Sequence, residues 1–138
     1  MAMLNSEAGY GSLTKACHWI IVGLFAVQIF GGLAMVDLPR GATVAGLGQD
    51  ALYNWHKTLG LVALAVAVLR IWARRAGSLP PWAPGLSEFE KRLVHRAEQL
   101  LYAAMLAMPL TGFVHVMAGG YGVQFAGLFA LPNPIGVW

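Results

Sequence analysis

Four histidines, His18, His56, His95 and His115, are the side chains of this sequence best suited to chemistry. His18 lies about one turn inside the first long apolar run, and His56 about one turn inside the second. An ionisable group within such a run is costly and tends to be kept for function. Neutral imidazole binds metals through a ring nitrogen and is a common axial ligand of haem iron. If both runs cross a membrane they are antiparallel, so the two residues lie near opposite faces. With a hydrocarbon core of about 30 Å and each residue about 5 Å in, their depths differ by roughly 20 Å. That separation suits two stacked haems, one near each face, with electrons stepping between them.

Plainer readings stand beside these. His18 next to Trp19, and His56 between Trp55 and Lys57, are ordinary interfacial placements. His95 sits in a charged, water-facing turn and His115 near the far end of a third apolar run, where structural roles are expected of both. Met105 and Met108 read as packing residues. Cys17 is the single cysteine, so no intrachain disulfide forms. The Cys-x-x-Cys-His attachment motif is absent, so a haem here is held non-covalently.

The elements that must position these residues are apolar and long. The first span covers about residues 14–36, uncharged between Lys15 and Asp37. At about 1.5 Å per residue, about 20 residues cross the hydrocarbon core. The second covers about 51–73 and stops in the cluster Arg70, Arg74 and Arg75. The stretch Pro80-Pro81-Trp82-Ala83-Pro84 breaks the helix, since proline lacks the amide donor and restricts its predecessor. A third helix is expected over about 88–118. It opens with a capping box of Ser87 and Glu90, has charged first turns at the water interface, and carries Pro109 as a kink. Residues 119–138 read as an apolar interfacial loop broken by glycine and proline.

Composition agrees with this membrane reading. The chain of 138 residues is 58% hydrophobic and 11% charged, against roughly 25% charged in soluble domains. Its mean hydropathy is +0.63. The net charge of +3 does not point to nucleic acid, because the basic residues cluster at the ends of apolar runs. No cleavable signal peptide is expected, since the first run is too long and lacks an Ala-x-Ala site. Lys15, Arg70, Arg74, Arg75, Lys91, Arg92 and Arg96 are seven of the nine basic residues. They place the N-terminus and the second loop in the cytoplasm, with the first loop and the tail outside. After His56, Gly60, Ala63 and Ala67 recur at helical spacing and form either a shallow groove or a helix contact. Gly31 and Gly32 are similarly ambiguous.

Several stretches, in order over nearly the whole chain, carry a family resemblance. They are Thr14-Lys15-Ala16-Cys17-His18-Trp19, Trp55-His56-Lys57-Thr58-Leu59-Gly60, Leu69-Arg70-Ile71-Trp72-Ala73-Arg74 and Leu101-Tyr102. Met108-Pro109-Leu110-Thr111-Gly112, Phe125-Ala126-Gly127-Leu128-Phe129 and Leu131-Pro132 follow. The chain resembles the bacterial dihaem cytochrome b561 family. The resemblance implies an all-α transmembrane helical bundle, with three spans present of a four-helix bundle. It implies haem b, two in the complete protein, with His18 and His56 as axial ligands of different haems. Arg70 and Lys57 are then expected to neutralise haem propionates, and Gly60 is expected at the cofactor from its helical spacing after His56. His95 and His115 fall outside the family's ligand positions.

In the family the partner histidines come from a fourth helix, and this sequence stops at Trp138 before it, as part of a longer protein or as a shortened relative. A further membrane subunit supplying ligands is one expectation. Pairing His18 with His95 and His56 with His115 is another, but 20 residues along a helix span about 30 Å, more than the roughly 20 Å available. The expected function is transmembrane electron transfer in the bacterial inner membrane as a quinone-linked cytochrome b, with ubiquinone as a candidate partner. The alternative is a cofactor-free anchor subunit of a larger membrane complex. A transporter ranks last, because no acidic residue lies mid-membrane.

Overall fold

The computed structural model describes residues 2–138; residue 1 of the 1–138 domain lies outside the described residues. Three helices, α1 (Ser12–Asp37), α2 (Gln49–Ala76) and α3 (Glu88–Ala118), precede two short strands, β1 (Gln124–Phe125) and β2 (Phe129–Ala130). α2 is the middle helix. It packs against α1 and α3, whereas among the described residues α1 and α3 do not meet. Cross-links between neighbours set an antiparallel order. Gln28 of α1 bonds the His56 carbonyl and Gln49 bonds the Met35 carbonyl. At the other end of α2, Arg70 bonds Tyr102 and Arg74 bonds Glu98.

Small residues let the helices approach. Ala63, Ala67 and Ala73 of α2 are buried, as are Cys17 and Ile21 of α1. The stripe after His56 is therefore a helix contact and not an open groove: Ala67 is fully buried, and a Cβ at Gly60 would lie 3.1 Å from Gln28 Nε2. Close backbone approach of this kind is how helices associate in lipid, where apolar side chains gain nothing by leaving one apolar phase for another.

The large apolar side chains point outward. Phe30, Leu33, Leu100, Leu101 and Met108 are all exposed. α1 and α3 are each long and apolar enough to cross a membrane, and only 6% of the apolar stretch of each is buried. The core helix of a soluble protein would be mostly buried, so these faces are built for lipid. α2 is less apolar overall because it carries Lys57, Arg70, Arg74 and Arg75, but it is also the helix shielded by the other two.

The helix ends are held by segments outside them. α1 has Gly11 at its N-cap and no side-chain cap. Its free N–H groups are satisfied by an N-terminal arm: Ser12 and Leu13 donate to the carbonyls of Ala2 and Met3, and Gly11 N–H donates to Asn5 Oδ1. Asn5 is itself buried against the end of α2, where a Cβ at Gly77 would lie 2.6 Å from the Asn5 carbonyl oxygen. α3 opens on the full capping box of Ser87 and Glu90 and runs on through Pro109. There Thr111 Oγ1 donates to the carbonyls of Ala107 and Met108.

The tail is more ordered than a loop. β1 and β2 pair antiparallel, Gln124 with Ala130 and Phe125 with Phe129. Ala126 and Gly127 turn the chain with φ of 51° and 72°. A positive φ is strained for alanine, and here its N–H donates to Thr58 Oγ1 at 3.0 Å. The sequence showed no strand period because each strand is only two residues long and depends on α2 for its seat.

Candidate functional site

His56 sits part-buried where α2 crosses α1. Its ring lies against Gly32, where an added Cβ would be 3.4 Å from Cε1 and 3.8 Å from Nδ1. Gln28 Nε2 donates to the His56 carbonyl at 3.0 Å, fixing the backbone that carries the ring. Nδ1 is buried without a hydrogen-bond partner. A half-buried imidazole whose ring makes no hydrogen bond among the described residues, held against a bare backbone, could ligate a metal or accept from a donor.

His18 is placed differently. Cys17 is buried, and His18 next to it is exposed on the flank of α1, edge-on to Trp19 at 5.2 Å and 64°. His56 lies level with Gln28 and Gly32 of α1. His18 is 10 residues from the first and 14 from the second, about 15–21 Å along the axis.

Near the His18 end, Arg70 Nε donates to the Tyr102 hydroxyl at 3.3 Å, and Arg74 forms an ion pair with Glu98. The Cζ atoms of both arginines lie 5.7 Å from the Tyr102 ring centroid. Tyr102 thus steers both guanidinium groups by cation–π attraction. Arg70 Nη1 is buried and has no acceptor among the described residues. A buried guanidinium N–H without a partner calls for an anion, and a carboxylate matches its geometry. At the other end Lys57 Nζ donates to the Gly122 carbonyl at 3.0 Å, which ties the ammonium to the tail and leaves its remaining protons free.

The other histidines are not brought to either place. His95 is exposed and shares a 3.1 Å contact with Gln99. It stands seven residues, about 10 Å, beyond Tyr102 on α3. His115 is exposed in the last turn of α3, and its ring makes no hydrogen bond among the described residues. Among the described residues no group of three or more His, Cys, Asp or Glu side chains could hold a metal ion by itself.

Three participants were missed in the sequence. Gln28 had a visible signal, as the one polar side chain between Trp19 and Asp37. Tyr102 was seen only as part of a motif, and its seat between two arginines depends on how α2 and α3 register. Thr58 too was seen only as part of a motif, and its role stayed hidden because its partner, the tail, is 66 to 68 residues away.

The model of the prokaryotic cytochrome b561 family matches residues 9–135. The chain is 26% identical over 140 residues to cytochrome b561 homolog 2 of Escherichia coli K12, covering 96% of this chain and 68% of that protein. No solved structure matches. A match running from residue 9 through the tail hairpin includes every residue of the candidate site, and the chain belongs to the prokaryotic cytochrome b561 family, membrane proteins of haem-dependent electron transfer.

Proposed function

We propose that this chain carries electrons across the bacterial inner membrane between two haem b groups, one held by His18 near the cytoplasmic face and one by His56 near the periplasmic face, in exchange with a membrane quinone. The observation that carries the reading is His56: half-buried between two helices, seated on Gly32 and with its ring unbonded to protein. When bound, haem iron supplies a one-electron ferric–ferrous couple.

The rest is the work of the chain. Gln28 and Gly32 hold the His56 ring in one orientation, and Gly60 leaves the space that Gln28 fills. Arg70 Nη1 receives a propionate on the cytoplasmic side, with Tyr102 keeping the guanidinium in place. Lys57 does the same on the periplasmic side, using protons not given to Gly122. The second ligands come from a helix seated along the open side where α1 and α3 fail to meet, whether of this family's own bundle or of another subunit. The exposed Ile29 and Phe30, level with His56, give a lipid-soluble quinone an apolar approach. The basic residues at the cytoplasm-facing ends of α2 and α3 support a cytoplasmic N-terminus.

The test is absorption and paramagnetic resonance spectroscopy of haem-loaded protein carrying His18→Ala or His56→Ala. Centres about 15–21 Å apart share no ligand, so each change is expected to remove one low-spin signal and spare the other. Loss of both signals from one change in a protein that keeps its helicity refutes separate sites. A colourless wild-type protein expressed with ample haem supports the anchor-subunit reading instead.

A further inference from the structure

The two ring nitrogens of His56 stand in unlike surroundings. Nδ1 is closed off from solvent and bonds to nothing among the described residues, whereas Nε2 is not closed in. The edge of the ring that carries Nδ1 and Cε1 lies along α1, where a Cβ at Gly32 would stand 3.8 Å and 3.4 Å from these atoms. A metal cannot reach Nδ1 unless the ring leaves this seat. Nε2 is the nitrogen left for iron.

That assignment fixes the proton. A neutral imidazole carries one N–H, so a ring that gives Nε2 to a metal keeps its proton on Nδ1. Histidine ligands ordinarily donate this second N–H to a carboxylate, a backbone carbonyl or a water. Here none of them takes it. Gln28, the polar side chain of α1 at this level, gives an amide proton to the His56 carbonyl and makes no bond to the ring. Gly32 has no side chain to offer, and the closure that buries Nδ1 keeps water away.

An acceptor on Nδ1–H makes imidazole a more basic ligand, which favours ferric iron; an unsupported N–H leaves a weaker donor and favours the ferrous form. We propose, resting on the reading of His56 as an axial ligand, that His56 binds iron through Nε2 with its Nδ1–H unsupported, and that the bare backbone at Gly32 keeps this centre easy to reduce. Helix packing alone also asks for a small residue at position 32. It treats alanine and serine there alike, however, and the redox role does not.

The test is spectroelectrochemical titration of the haem-loaded full chain carrying Gly32→Ser or Gly32→Ala. Serine places Oγ one bond beyond the Cβ, within hydrogen-bonding reach of Nδ1. Gly32→Ser is expected to favour the ferric form of the His56 centre about tenfold, a fall of about 59 mV for one electron. Gly32→Ala presents the same Cβ without an acceptor and should keep the parent potential. The separate low-spin signals show which centre moves, and far-ultraviolet dichroism checks that the helices persist. Equal potentials in the serine and alanine variants overturn the proposal, as does a rise in the serine variant or an equal fall at the His18 centre. His56→Ala tells the two levels of inference apart. If it leaves both centres intact, the axial-ligand reading fails and the proposal with it; if it removes one centre while serine and alanine titrate alike, only the redox role of Gly32 is refuted.

Discussion

Replacing Gly32 tests whether the His56 ring is positioned by the backbone of α1. The Gly32→Ala Cβ would lie 3.4 Å from Cε1, an ordinary van der Waals contact. Alanine also gains about 1 kcal/mol over glycine inside a helix, so this variant is expected to be as stable as the parent or slightly more so. Gly32→Leu adds three further carbons where the ring already stands. Overpacking of that kind costs about 1–3 kcal/mol, which is relieved if His56 swings away from its seat. If the ring must return to bind haem, that cost weakens the His56 centre by about five- to 150-fold, at about 1.4 kcal/mol per tenfold. The assay is haem titration of both variants, followed by the separate low-spin signals of the two centres. The expected result is a graded loss confined to the His56 centre, absent in Gly32→Ala and large in Gly32→Leu. Full occupancy of that centre in Gly32→Leu refutes the positioning role, and equal loss at both centres means that the helix pair itself has come apart.

Two further outcomes follow from polar contacts. Thr58→Val removes the acceptor of the Ala126 N–H and frees the tail hairpin; an unmade bond of this kind costs about 1–3 kcal/mol. Amide hydrogen exchange at Ala126 should quicken by about five- to 150-fold, and unchanged exchange would mean the hairpin holds itself. At the start of α3, the hydrogen bonds from Ser87 hold the Glu90 carboxyl below its ordinary range. The capped turn is therefore expected to be fully stabilised above the unfolded carboxyl's pKa and to lose that support as pH falls through the lower folded value. Exchange at Glu90 and Lys91 should rise on acidification, and Ser87→Ala should weaken the pH dependence without removing it, because the backbone N–H at position 87 still donates to the Glu90 carboxylate.

The sequence was informative wherever one residue type had one physical reason to be there. Ser87 and Glu90 announced the start of α3 because a capping box is complete within four residues. Asp37 closes α1 where its apolar run gives out, whereas α2 runs on through the arginine cluster to Ala76, past the end expected at about residue 73. The stripe of Gly60, Ala63 and Ala67 stayed ambiguous because small side chains admit a cofactor or a helix equally, and only the register of α1 against α2 decided between them. The N-terminal arm and the tail hairpin were illegible for a related reason. Each is too short to show a period of its own, and each is fixed by a distant residue, Gly77 for the arm and Thr58 for the hairpin. Gln28 shows the middle case, a polar residue that stood out in an apolar run without revealing its partner.

Each helix touches only its neighbours in sequence, and this shapes how the molecule assembles. α1 and α2 form a complete contact without α3, so they can pair once the ribosome has released residue 76, before the third helix enters the bilayer. The arm then finds its seat at once, because Gly77 is the residue that follows α2. α3 adds to a finished hairpin, and the tail latches last, onto Thr58 and Lys57. Contacts this local favour rapid, stepwise folding. Because α1 and α3 do not meet among the described residues, the side between them stays open to the lipid at every stage, and a group entering there parts no helix pair already formed.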